Sequence, residues 1–182
     1  MPIYTLKEIA LMGEQQHLHD QALIRECVGG LTLYATRIAQ ADKAAPIITD
    51  IRAMIETLIS YWSLDNGDPS ILQNNYLQPF DLWTTDADID LDIRIAPKQR
   101  AAIVNGLFWY CEDMATCMGF EAKDDILSAK ELMIEIAPGL GFEPDELKKL
   151  TEKIEFNVQY LISQQTDQQD NVYAQQMGGS SL

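Results

Sequence analysis

The chain has 182 residues, 28 of them Asp or Glu against 13 Lys or Arg, for a net charge of −15. That length holds one domain with a sizeable core and leaves little for a second. The charge argues against direct binding to nucleic acid or anionic membrane surfaces; no run of about 18 apolar residues offers a transmembrane span, and Met1-Pro2-Ile3-Tyr4 lacks the basic-then-apolar order of a secretory signal.

Thr5-Leu6-Lys7-Glu8 has the spacing of a capping box, a hydroxyl at the N-cap and a carboxylate three residues on. The helix it opens is predicted to run to about Cys27, where Gly29-Gly30 breaks or bends it. A second segment, Leu31 to Ala41, aligns Leu31, Tyr34, Ala35 and Ile38. Pro46 suits a first helical position, and Ile48, Ile51, Ile55, Leu58 and Trp62 follow at helical spacing. Asp65-Asn66-Gly67-Asp68-Pro69 then stops that helix with turn chemistry.

Residues 64–96 read as an irregular acidic insertion, relieved by a short helix at Pro69 capped by Asp68. Within it, Asp88-Ile89-Asp90-Leu91-Asp92-Ile93-Arg94-Ile95 alternates strictly, which predicts a half-buried strand or extended arm. Pro97 opens another helix, with Val104, Leu107, Phe108, Cys111, Ala115 and Met118 as its stripe and Gly119 as its end. The next runs from Lys123 to Ala137 with Ile126, Ala129, Met133 and Ile136 aligned, until Pro138-Gly139. The last begins at Pro144, carries Asp145 and Glu146 in its first turn, and buries Leu147, Leu150, Ile154, Val158 and Leu161. From Gln164 the composition is polar, and a disordered tail over 164–182 is expected. The fold class is therefore all-α: one helical domain over 1–163, five or six helices with an extended acidic arm.

Chemistry-bearing patterns are few. Glu14-Gln15-Gln16-His17 is an ExxH, but His17 and His19 are the only histidines, so the paired motif of a di-metal centre has no second half. His17 with Asp20 reads as a surface or capping pair. The ladder Asp86, Asp88, Asp90, Asp92 fails as an EF-hand, since Leu91 and Pro97 occupy the positions that need Gly and Glu. As a strand it blunts an edge or docks a basic partner. Cys27, Cys111 and Cys117 have no CxxC spacing and read as reduced thiols of a cytoplasmic protein, with Cys111 and Cys117 assigned to the core. Gly139-Leu140-Gly141-Phe142 lies between helices and reads as their connection, not as a phosphate loop. No nucleophile–base arrangement is visible, so neither enzymatic activity nor a cofactor is expected.

The stretch Tyr34-Ala35-Thr36-Arg37-Ile38-Ala39-Gln40-Ala41-Asp42 reaches an acidic turn before a new helix. Later, Tyr110-Cys111-Glu112-Asp113-Met114-Ala115 leads to Met118-Gly119-Phe120 and Asp124-Asp125, and Gly141-Phe142-Glu143-Pro144-Asp145-Glu146-Leu147 closes a unit. Over about residues 31–60 and 101–150 this layout resembles the tellurite-resistance TerB-like helical family, whose domain contains two such units. The resemblance implies a helical stress-response protein. That family's metal-associated Asp-Gly turns do not carry over, because Asp42-Lys43 and Met118-Gly119 stand in their place; Asp50, Asp124 and Asp125 are the nearest carboxylates.

The leading expectation is a non-enzymatic acidic protein that binds a basic protein partner, in stress response or phage defence. Asp81, Trp83, Asp86, Asp88, Asp90 and Asp92 are its candidate contact residues. A nucleic-acid-mimicking decoy and a TerB-like divalent-metal-binding stress protein are the alternatives.

Overall fold

The structure is a computed structural model and describes residues 6–82 and 94–178. The described residues are all-α: helices and their turns, with no strand among them. Tertiary contacts group the chain into two compact units, Met1–Gly106 and Leu107–Leu182, and each is taken by itself. No helix among the described residues is long and apolar enough to cross a membrane.

In the first unit, helix α1 covers Leu6–Ala41 without interruption, so Gly29-Gly30 neither breaks nor ends it. Two interior glycines cost about 1 kcal/mol each relative to alanine. The buried stripe Ile24, Cys27, Val28, Leu31, Ala35 and Ala39 runs straight through them, and such a stripe is worth several times that. Gly30 also has a packing reason. A Cβ there would lie 2.7 Å from Ile103 Cγ1 and 3.2 Å from the Gln99 carbonyl, so bare backbone is what lets the two segments approach.

Helix α2, Pro46–Tyr61, starts on proline as expected and buries Ile51, Met54, Ile55, Leu58 and Ile59. It packs along α1, and Gln21 Nε2 donates to the Trp62 carbonyl at 2.8 Å. The turn after it has Ser63, Asn66 and Gly67 at positive φ, while Asp65 accepts from the Gly67 amide at 3.0 Å.

Asp68 then caps helix α3, Pro69–Ile71, by accepting from the Ser70 amide at 2.9 Å. The Ser70 hydroxyl and amide hold the Asp68 carboxyl below its ordinary range. A π-helical turn, Leu72–Leu77, follows and passes into α4, Gln78–Leu82. Pro79 has no N–H to continue an α ladder, and the Gln78 amide reaches back to the Gln73 carbonyl instead. Phe80 and Leu77 are buried, so this part of the expected irregular segment is helical and belongs to the core. Asp88–Ile93 of the expected strand lies outside the described residues, and 94–96 is neither helix nor strand.

Helix α5, Pro97–Cys117, gives its first ten residues to the first unit and the rest to the second. Ala102, Ile103 and Val104 are buried in the first; Leu107, Tyr110, Cys111 and Met114 are buried in the second. Met118 departs from the expected stripe: it lies past the helix end and is exposed. Cys117 departs from it too. It sits at the last helical position, exposed, while Cys111 lies in the core.

Within the second unit a 3₁₀ turn, Gly119–Ala122, leads into α6, Lys123–Ile136, which buries Ile126, Ala129, Leu132, Met133 and Ile136. Gly141, at φ 80°, ends the Pro138–Leu140 turn, so the glycine pair there does connect helices. Helix α7 covers Pro144–Gly178 and packs on α6 through Ile154 and Val158. A polar network joins α5 to α7: Glu112 accepts from Asn157 Nδ2 at 2.5 Å and from Lys153 Nζ at 3.0 Å. The Lys153 ammonium also lies 5.1 Å from the centre of the Phe108 ring.

Helix α7 continues through the polar segment from Gln164 that composition assigned to a tail. Every side chain from Thr166 to Met177 is exposed, so tertiary packing does not explain it. An existing helix propagates at little cost once nucleated, and no Pro or Gly interrupts this one before Gly178.

Burial pushes the Cys111 thiol up to about 12, with Glu112 adding to the effect. Burial does the same to the Tyr110 phenol, to about 12, with Asp125 contributing. Both groups are therefore held neutral. The stability this contributes is complete below the ordinary thiol value of 9.0 and is lost as pH rises to about 12. Denaturant midpoints are expected to fall across that window, and to fall less in Cys111→Ala and Tyr110→Phe; an unchanged slope in both variants would assign the loss to other groups. With a thiol reagent near pH ~8, Cys117 is expected to react fast and Cys27 and Cys111 only on unfolding.

Candidate functional site

Of the six candidate contact residues, only Asp81 lies among the described ones; Trp83, Asp86, Asp88, Asp90 and Asp92 lie outside them. Asp81 is already engaged within its own unit. Arg52 Nη1 donates to its carboxylate at 3.3 Å, Gln73 Nε2 donates to the other oxygen, and the same guanidinium reaches Glu56 at 3.2 Å. Asp81 thus ties α4 and the π turn to α2. With these bonds in place the Asp81 side chain is still 47% exposed, so the carboxylate faces solvent beside its internal partners.

The ExxH residues form no cluster. His17 and His19 are exposed on the solvent side of α1, whereas Asp20 is 9% exposed and accepts from Gln16 Nε2 at 2.8 Å. The expected His17–Asp20 pair is thus a Gln16–Asp20 pair. No group of three His, Cys, Asp or Glu able to hold a metal ion occurs among the described residues.

What the sequence reading missed is the outward face of α6. Asp124, Ser128, Glu131 and Glu135 are spaced by four, three and four residues and are all exposed. That spacing sets them in one row about 16 Å long on one side of the helix. No lysine or arginine interrupts the row. The second unit has 14 acidic residues against five lysines and no arginine. Four of those lysines have carboxylate partners: Lys123 with Asp124 at 3.6 Å, Lys130 with Glu155 at 2.7 Å, Lys148 with Glu152 at 3.7 Å, and Lys153 with Glu112. Only the first of these touches the row, and at a length that neutralises little in water. The signal was present in the 3.6-residue period on the polar side of α6, but the apolar stripe opposite drew the reading.

Two other surface features stand apart from the carboxylates. Phe156, Tyr160, Tyr173 and Met177 are exposed on α7, and Leu11, Met12 and Leu18 on α1. In the first unit, a cleft of about 390 Å³ opens between α1 and the start of α5, lined by Glu26, Gly29, Gly30, Leu33, Lys98, Gln99 and Ala102. Gln99 is held at its edge, accepting from the Ala96 amide at 2.9 Å.

Comparison of the chain with family models, with curated proteins and with solved structures finds no match in any of the three.

Proposed function

We propose that this chain is a non-enzymatic interaction protein that binds a partner protein through a basic surface, and that the outward face of α6 is a principal contact. One observation carries the reading: Asp124, Glu131 and Glu135 stand in a single exposed row in a unit whose lysines are largely paired elsewhere. Aligned like charges on a rigid helix raise the local potential and steer a cationic partner into place. The sequence ladder at Asp86, Asp88, Asp90 and Asp92 would extend the same chemistry. A cytoplasmic stress-response or phage-defence setting, suggested by the TerB-like resemblance, fits a small acidic adaptor, and nothing among the described residues adds to a metal-binding reading.

The test places a photo-crosslinking residue at Ile134, which is 42% exposed beside the row, and captures partners in lysate of the native host. A basic protein is expected with the native surface. Its yield should fall about tenfold in the triple variant Asp124→Asn, Glu131→Gln, Glu135→Gln, at about 0.5 kcal/mol for each solvent-exposed charge. Added salt should weaken capture in parallel. Capture that is indifferent to both neutralisation and salt refutes the reading. Displacement of the chain by duplex DNA would make the partner a nucleic-acid-binding protein and the chain a decoy.

A further inference from the structure

The cleft of the first unit has no part in the acidic-surface reading. Its apolar lining is Leu33 and the buried Gly30 backbone from α1 and the buried Ala102 from α5, with the exposed Gly29 beside them. Two opposite charges face each other at its rim, Lys98 Nζ and Glu26 Oε1, 3.6 Å apart. Its volume of about 390 Å³ lies in the range of small-molecule sites, roughly 300–1,000 Å³.

Gly29 is the informative residue. A glycine inside a helix is unfavourable relative to alanine, and a packed helix keeps one when a neighbour needs the space. Gly30 has such a neighbour in Ile103; Gly29 has none, and a Cβ built on it meets nothing within 4 Å. Gly29 is exposed, and the room its missing side chain leaves opens into the cleft. A side chain at position 29 would take up part of the cleft's space.

The rim selects the chemistry of that occupant. A plain anion would reach Lys98 but meet the Glu26 carboxylate, in a unit with 14 acidic and eight basic residues. A plain cation would leave Lys98 unanswered and facing it. A molecule with both charges on neighbouring atoms satisfies both, its carboxylate on Lys98 and its ammonium on Glu26. The side chains concerned are 84% and 53% exposed, so they part easily, and an ion pair this exposed gives up little when it opens. We propose that the cleft between α1 and α5 binds a small zwitterion with an apolar side chain, the chemistry of a free neutral amino acid.

The test uses the full chain, ¹⁵N-labelled, with L-leucine as the probe, following the amide signals of Gly29 and Gly30. Saturable shifts of both are expected below about 10 mM, a range that includes millimolar affinity. Two analogues separate the charges: 4-methylpentanoate lacks the ammonium and 3-methylbutylamine lacks the carboxylate. Each should bind at least about tenfold more weakly, as should leucine to Lys98→Gln and to Glu26→Gln. Gly29→Leu places a side chain in the open space of the cleft, so it should abolish the shifts at Gly30 while raising the thermal midpoint. Absence of shifts with leucine, equal binding of either analogue, or full binding by folded Gly29→Leu would each overturn the proposal. None of these results bears on the carboxylate row of α6, which lies in the other unit.

Discussion

Phe80→Ala is expected to destabilise the protein by about 3–5 kcal/mol, whereas the same change at Phe156 is expected to fall within about 0.5 kcal/mol of neutral. The two phenylalanines differ in what they touch. Phe80 is 4% exposed on the short helix α4 and Phe156 is 71% exposed on α7. Removing the Phe80 ring takes a large apolar group from a site that α1 and the π turn enclose, and the cavity term adds to the lost transfer energy. The segment 69–82 would follow, since Phe80 and Leu77 are its buried residues, and the Arg52–Asp81 and Gln73–Asp81 bonds are too exposed to hold it alone. Urea denaturation by circular dichroism measures both effects. Near-neutral Phe80→Ala would mean that the π turn and α4 lie on the core without belonging to it.

The contrast shows which parts of the structure could be read from the residues. Helix α2 was legible because its apolar positions recur at helical spacing between a proline start and an Asp-Asn-Gly turn, and those signals agree. Helices α5 and α6 and the first part of α7, to about residue 163, were legible from their apolar spacing, and so was the Asp68 cap; the run of α7 through the polar segment to Gly178 was not. Segment 72–82 was not: Pro79 argues against a helix there, and only a π turn before it reconciles the proline with helical backbone. The continuity of α1 was hidden as well. A glycine pair reads locally as a break, and the contact that makes Gly30 useful comes from Ile103, more than 70 positions away. The site was less legible than the fold. The alternating ladder at 86–92 drew the reading because a period of two is conspicuous, whereas the row on α6 shares its helix with an apolar stripe of the same period. Nor could sequence show that Asp81 is held by Arg52 and Gln73, since that is a matter of three elements meeting.

Gly106→Ala is expected to cost about 1–2 kcal/mol, although alanine is the better helix former. A Cβ at Gly106 would lie 2.4 Å from Cys27 Cβ and 2.6 Å from its Sγ. The Cys27 Cβ is fixed to the backbone and cannot rotate away, so α1 and α5 would have to move apart, and overpacking of this kind typically costs about 1–3 kcal/mol. The helix-propensity gain of about 1 kcal/mol offsets part of it. Separation of the helices would also strain the contact of Gly30 with Ile103 and lengthen the 3.5 Å bond from the Cys27 thiol to the Ile103 carbonyl. Cys27→Gly alone should destabilise too, by a lost buried side chain and a further helical glycine. In Gly106→Ala with Cys27→Gly the clash disappears, because the bare position has moved from one helix to the other. The double variant should therefore be more stable than the sum of the single effects allows, by about 1–3 kcal/mol of coupling. Denaturant titration of the four proteins gives that coupling directly. Strict additivity would show that the two helices are not locked at Cys27 and Gly106, and that the cleft beside them has no fixed floor for a ligand to meet.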